Sequence, residues 1–154
     1  MQQAPKPVPP PEFQEKDIAT MDAAGLIAIL KDPAAPEFRK AKACMRAGEL
    51  GAKDAVPALA AMLPSEHMSV YARYGLEPIA DPAVDDALRA ALTKLKGVQL
   101  IGVINSINKR RDAKAAPMMA KMLASPDVDI ARAAAAALGS IGNEAAMKEL
   151  QAAL

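Results

Sequence analysis

The chain has 154 residues, a formal net charge of +1 and 52% apolar residues, yet it contains only two Phe, two Tyr and no Trp. This composition disfavours a β-sandwich or barrel, whose strands are rich in β-branched and aromatic residues, and it favours closely packed helices. One Cys and one His exclude an internal disulfide framework and a structural zinc site built by this chain alone. The longest apolar run is far shorter than the ~20 residues of a membrane-spanning helix.

Residues 1–16 form a proline-rich segment, in which five of the thirteen prolines lie between Pro5 and Pro11. Such a segment favours an extended polyproline conformation, so we predict a disordered tail or linker at 1–16 and a folded domain at 17–154. The PxxP pattern from Pro7 to Pro10 leaves an SH3-type ligand as an alternative. The segment is typical of the start of a mature exported protein, which leans towards a periplasmic location and leaves a cytoplasmic one open.

From Asp17 onwards the apolar residues recur at helical spacing, and Pro, Gly and Asn mark the breaks between helices. The pattern predicts nine helices, at about 17–31, 37–50, 53–63, 66–78, 82–95, 98–109, 113–124, 128–141 and 143–153.

An internal repeat of about 31 residues underlies these helices. The equivalent positions are separated by 33, 29, 31 and 31 residues, and they are Leu26, Leu59, Leu88, Met119 and Leu150. The Gly48–Gly51 segment lies 91 residues before Gly139–Gly142, in the same register. A two-helix repeat of this length predicts an all-α fold, an α-solenoid of about four helical hairpins plus one N-terminal helix. We expect the equivalent apolar positions to be core residues and Gly139 to lie at a helix crossing.

The last repeat, DIARAAAAALGSIGNEAAMKELQAAL, resembles a short HEAT repeat of the phycobilisome-lyase type, and GAKDAVPALAAML resembles it too. Two other stretches, ARYGLEPIADPAVDDAL and GVINSINKRRDAKAAP, are similar to HEAT modules of large exported bacterial proteins. The resemblance covers residues 17–154 and implies a right-handed solenoid of the armadillo-like kind. It implies a scaffold more than any one activity, because HEAT arrays support many unrelated functions.

No catalytic, cofactor-binding or metal-binding residues emerge from the sequence, and we predict that the protein is not an enzyme. His67, the single histidine, has no nucleophile or orienting partner at sequence level and is expected to be an exposed residue. Cys44 aligns with small or apolar positions and is expected to be buried. The di-iron hydroxylases with a HEAT fold use repeated His-Glu pairs, which this chain lacks.

Charge is distributed unevenly along the chain. Residues 87–124 carry a net charge of +7, whereas residues 64–86 carry −4. We interpret the alternation as electrostatic attraction between stacked repeats, carried by Arg73, Glu77, Asp81, Asp85, Arg110 and Arg111. Nucleic-acid binding through the basic turns is the alternative, which the overall charge and the lack of aromatic platforms disfavour.

Three methionines, Met62, Met118 and Met122, fall off the predicted buried stripes of the second helices of the hairpins. Flexible thioethers on an exposed surface suit an adaptable binding site, so these methionines, with Lys121, are predicted to bind a protein or peptide on the concave face. Coverage by neighbouring helices is the alternative. Tyr71 and Tyr74, which flank Arg73, are a second candidate recognition pair.

The sequence therefore predicts a non-catalytic interaction scaffold or spacer without membrane insertion. A monomer is favoured, although the oligomeric state stays open. The alternative functions are an accessory subunit of a lyase-like enzyme and a nucleic-acid binder.

Overall fold

A computed structural model describes Pro10 and residues 16–153 of the chain, and within this part the fold is all-α without strands. The predicted tail, apart from Pro10 and Lys16, lies outside the described residues. Nine α-helices are present in the described part: α1 (Ala23–Lys31), α2 (Glu37–Glu49), α3 (Val56–Ala60), α4 (Ser69–Leu76), α5 (Pro82–Leu92), α6 (Gly97–Arg110), α7 (Ala116–Met122), α8 (Val128–Ile141) and α9 (Glu144–Ala152).

Several helices are shorter than the apolar pattern predicts. The first one divides into a 3-10 turn at Ile18–Thr20 and α1, because the Asp22 carboxylate accepts a hydrogen bond from the Gly25 amide at 2.9 Å and caps a new helix. Helices α3 and α7 are each preceded by a 3-10 turn, at Lys53–Ala55 and Ala113–Ala115. These two turns are 60 residues apart, as are Pro57 and Pro117, so the sequence register recurs in the backbone.

The described helices contact one another in two rows, and the row of odd-numbered helices lacks an extensive contact between α5 and α7. The even row, α2, α4, α6 and α8, is formed by successive contacts between these helices. In the odd row α1 packs against α3, α3 against α5, and α7 against α9. Cross-contacts between the rows join α1 to α2, α3 to α4, α5 to α6, α7 to α8, and α8 to α9. Among the described helices no extensive contact joins two that are three or more apart in the chain.

The core lies between the two rows, and the repeated apolar positions occupy it. Leu26, Leu59, Leu88 and Met119 have no exposed surface, whereas Leu150 on α9 is partly buried. Helix α9 packs on α7 and α8 alone among extensive contacts, which accounts for the lower burial of Leu150.

Two glycines allow α2 and α4 to cross closely. A Cβ added to Gly75 would lie 2.6 Å from the Cys44 carbonyl oxygen, and one added to Gly48 would lie 2.8 Å from the Gly75 carbonyl oxygen. The expectation for Gly139 is wrong, because a Cβ there would meet no atom within 4 Å. The equivalent glycine of α2, Gly48, is covered by α4, whereas no described residue covers Gly139 in α8.

Candidate partner-binding surfaces

Cys44 and His67, the residues whose side chains could act in catalysis, do not form a catalytic arrangement in the described part of the chain. Cys44 is fully buried in α2, and burial raises the pKa of its thiol to about 12, so the nucleophilic thiolate is scarce at neutral pH. His67 Nδ1 lies 3.1 Å from a carboxylate oxygen of Glu37, and both side chains are exposed. In the described part of the chain, no group of three or more His, Cys, Asp or Glu side chains is positioned to hold a metal ion.

None of the described helices has the combination of length and apolarity that crossing a bilayer requires.

The three candidate methionines belong to two helical segments of the odd row. Met62 follows α3, whereas Met118 and Met122 belong to α7, and all three are partly buried against the core. Helix α3 packs on α5, while α7 packs on α8 and α9, and no extensive contact joins α3 to α7. Lys121, between Met118 and Met122 in α7, is exposed.

The odd row carries a shallow groove of about 330 Å³ between α3 and α5. Its walls are mainly small or proline side chains, among them Ala60, Ala61, Ala87 and Ala90, with Lys94 at one end. Met62 does not line this groove. Leu63 and Leu95 also line the groove, so its surface is mainly apolar.

Exposed apolar side chains are concentrated on the other row. Of the seven large hydrophobic residues that are exposed in the described part, five belong to even-row helices: Met45, Tyr71, Tyr74, Val98 and Val128. Tyr71 and Tyr74 are 37% and 54% exposed. Because α4 is flanked by α2 and α6 and backed by α3, its exposed side chains point to the outer surface of the even row.

Three residues of the predicted inter-repeat set, Glu77, Asp85 and Arg110, belong to a bridge between α6 and the segment from α4 to α5. The Arg110 guanidinium donates to both Asp85 carboxylate oxygens, at 2.6 and 3.0 Å, and to the carbonyl oxygens of Glu77 and Ile79, at 2.8 and 2.9 Å. These hydrogen bonds to Asp85 raise the pKa of Arg110 further above its usual range. The side chain of Arg110 is only 13% exposed, so this contact is more than a surface pair.

A second contact lies one turn away. The Glu77 carboxylate accepts from the Ser106 hydroxyl at 2.8 Å and from Lys109 Nζ at 2.6 Å, and the hydrogen bond from Lys109 raises the pKa of that amine. Arg89 is paired with Asp86 and Asp112. Sequence reasoning did not select Ser106, Lys109, Arg89 or Asp112, although the opposite charges of these segments were the available signal.

The remaining members of the set take other roles. Asp81 accepts from the Ala83 amide at 2.8 Å and caps α5. Arg111 is exposed and ends α6 in a left-handed conformation. Arg73 is not bonded to Glu77, four residues further on, and its Nε atom is buried without a hydrogen-bond partner.

No protein-family model matches the chain, and no curated protein shows a significant sequence match to it.

Proposed function

We propose that this protein is a non-catalytic interaction scaffold, a small α-solenoid of HEAT-like helical hairpins that binds a partner protein on one of its helix rows. Support for the solenoid comes from extensive contacts that join helices no more than two apart in the chain and from turns that recur in register. In such arrays each repeat presents one helix to each face, so that the array offers two long surfaces for binding.

One observation decides which surface to favour. The exposed large apolar side chains belong mainly to the even row, and two of them are the only tyrosines of the chain. Tyrosine is enriched at protein interfaces because its ring buries a large area while its hydroxyl keeps a polar partner. The partly buried methionines of the odd row offer less accessible area. We place the partner on the outer surface of α4, with the odd row as the competing surface.

Nucleic-acid binding is less well supported. Lys109, Arg110 and Arg89, which carry much of the basic segment, are each paired with a carboxylate of the same chain. A side chain that is already paired with a carboxylate displaces few counterions from the phosphates of a nucleic acid. The displacement of these counterions supplies most of the non-specific affinity of a protein for nucleic acid.

The two surfaces can be compared in one capture experiment from source lysate. We expect Tyr74→Glu to abolish capture of a partner that the unmodified protein retains, because a charge would be buried at the contact. Met118→Glu tests the odd row, and Leu50→Glu is a matched control, since Leu50 is 44% exposed in the turn after α2. Melting curves verify that each variant is folded.

If Met118→Glu abolishes capture and Tyr74→Glu does not, the partner binds on the odd row and not on α4. Capture that resists both substitutions would contradict binding on either row. A nucleic acid as the retained partner, released steeply by salt, would replace the proposal with the alternative function.

A further inference from the structure

Arg73 differs from the other arginines of the chain. Five of the seven form ion pairs with carboxylates in the described part of the structure: Arg39, Arg46, Arg89, Arg110 and Arg132. Of the two that do not, Arg111 is exposed at the end of α6, whereas Arg73 lies half-buried between α4 and α6. Its positive charge is therefore held at a helix interface without a neutralising partner.

Gly102 on α6 makes room for this side chain. A Cβ at Gly102 would lie 2.7 Å from Arg73 Nε and 2.8 Å from its Cζ atom, so the guanidinium rests directly on the backbone of α6. Nε is buried, but the two terminal amino groups have no partner within the described part and are not enclosed. Nη2 lies 3.1 Å from the same Cβ position and is also close to α6, so the guanidinium is accessible in part, at its terminal nitrogens.

The nearest acidic residue on the same helix is already engaged. Both oxygens of Glu77 accept hydrogen bonds from α6, from Ser106 and Lys109, and its side chain is only 6% exposed. Tyr74 adjoins Arg73 on the exposed side of α4 and is close enough to Lys109 to influence the pKa of that amine. An unpaired cation is thereby combined with an exposed ring on the row that we favour for partner binding.

We propose that Arg73 binds a carboxylate from an acidic peptide segment of the partner protein, with Tyr74 covering the apolar part of that segment. This inference rests on the proposed function and specifies the chemistry of the partner. A carboxylate fits the two parallel donors of a guanidinium edge, and such charge-assisted pairs are stronger than neutral hydrogen bonds. A phosphate group carries a larger negative charge and is usually bound by several cations. The neighbouring Lys109 is already paired with Glu77, so a carboxylate fits this surface better than a phosphate.

The test uses the full chain and peptide libraries whose randomised flanks exclude Asp and Glu. The peptides are acetylated and amidated, so that only a fixed central Glu carries a carboxylate. Matched libraries hold a fixed central Glu, Gln or phosphoserine, and a further Gln library has a free C-terminal carboxylate. We expect selection from the Glu library alone, with an aromatic or aliphatic residue beside the Glu. Selected peptides are then measured by fluorescence anisotropy.

Three variants locate the binding. Arg73→Gln should lower the affinity for the selected peptide about tenfold or more, which is the usual contribution of a hydrogen bond to a charged group. Arg73→Lys keeps the charge but loses the paired donors, so it should also bind more weakly than the unmodified protein. Gly102→Ala should displace the flexible guanidinium and lower the affinity, while its melting temperature stays equal or rises because alanine favours the helix. Arg111→Gln is the control, with unchanged affinity expected.

Equal selection of Glu and Gln, or selection of phosphoserine or of the free C-terminus in preference to Glu, would overturn the assignment. Affinity that is insensitive to Arg73→Lys and Gly102→Ala would do so as well, and so would the absence of any selected peptide. If apolar peptides are selected whose binding depends on Tyr74 but not on Arg73, the scaffold function stands and the carboxylate site fails. If Tyr74→Glu and Met118→Glu also leave partner capture intact, both proposals fail.

Discussion

Arg111 occupies a backbone conformation that two equivalent helix ends fill with glycine. Its φ angle is 53°, and it is the one residue other than glycine with positive φ in the described part, whereas Gly51 and Gly142 have φ of 62°. The three positions share the repeat register. A residue with a Cβ is strained in this left-handed region, by about 1–2 kcal/mol in a regular helix.

We therefore expect Arg111→Gly to increase the free energy of unfolding by up to about 1 kcal/mol, despite the greater freedom of glycine in the unfolded chain. Urea denaturation with circular dichroism measures this difference. The reverse change, Gly51→Ala, should destabilise the protein although no atom lies within 4 Å of the added Cβ. A stability loss with Arg111→Gly would mean that the arginine side chain makes a compensating contact.

Space, and not backbone conformation, decides the outcome at the glycines inside helices. Gly75→Ala would place a methyl group against the Cys44 carbonyl at 2.6 Å and against Leu59 at 3.0 Å. Since the oxygen belongs to a helix backbone, α2 and α4 would have to separate, and we expect a loss of about 1–3 kcal/mol. In Gly139→Ala the added methyl group has no atom within 4 Å. The free energy of unfolding should therefore increase by up to about 1 kcal/mol, because alanine has the higher helix propensity. The two variants, compared by urea midpoint, should change stability in opposite directions.

At the scale of helices, the sequence predicted the number of elements better than their limits. Apolar periodicity and proline positions located all nine helices in the described part, because burial of one face and the missing proline amide act locally. The start of α4 was placed three residues early, since Ser65 Oγ instead accepts from the Met68 amide and holds 65–68 in a turn. Such a side-chain hydrogen bond competes with the backbone hydrogen bonds of a helix, and the spacing of apolar residues does not reveal it.

Arg110 connects α6 to the segment between α4 and α5, so its loss should affect the packing of whole helices. The sequence predicts only that Arg110 takes part in electrostatic attraction between repeats. In the structure its side chain is mostly buried and donates to two backbone carbonyls as well as to Asp85. We expect Arg110→Met to cost about 1.5–3 kcal/mol, because those acceptors lose a charged donor. The matched change Arg132→Met removes an exposed pair with Asp129 and should stay within about 0.5 kcal/mol. Equal effects in thermal unfolding would show that Arg110 acts only as a surface charge.

At the scale of the molecule, the candidate surface was only partly predictable. The sequence indicates Tyr71 and Tyr74, the only tyrosines, as a candidate recognition pair, and both side chains are exposed in the structure. The unpaired state of Arg73 was not foreseeable, because it depends on Glu77 being bound by side chains about 30 residues further along the chain. Sequence spacing within one helix favours a pair at four residues, and the packing of α6 on α4 overrides that preference.

The stacking of repeats makes a graded prediction for the whole chain. Leu88 is fully buried on α5, which packs on α3 and α6, whereas Leu150 is partly buried on α9. Leu88→Ala should cost about 2–5 kcal/mol, because the surrounding helices cannot collapse into the space. Leu150→Ala should cost less than about 2 kcal/mol, since less surface is removed from water. In an array held by contacts between neighbours, the Leu150 variant should also lose its amide protection from exchange in α8 and α9 while α3 to α5 keep theirs. Equal losses of stability, or a uniform loss of protection in hydrogen exchange, would indicate one cooperative core and would count against a solenoid.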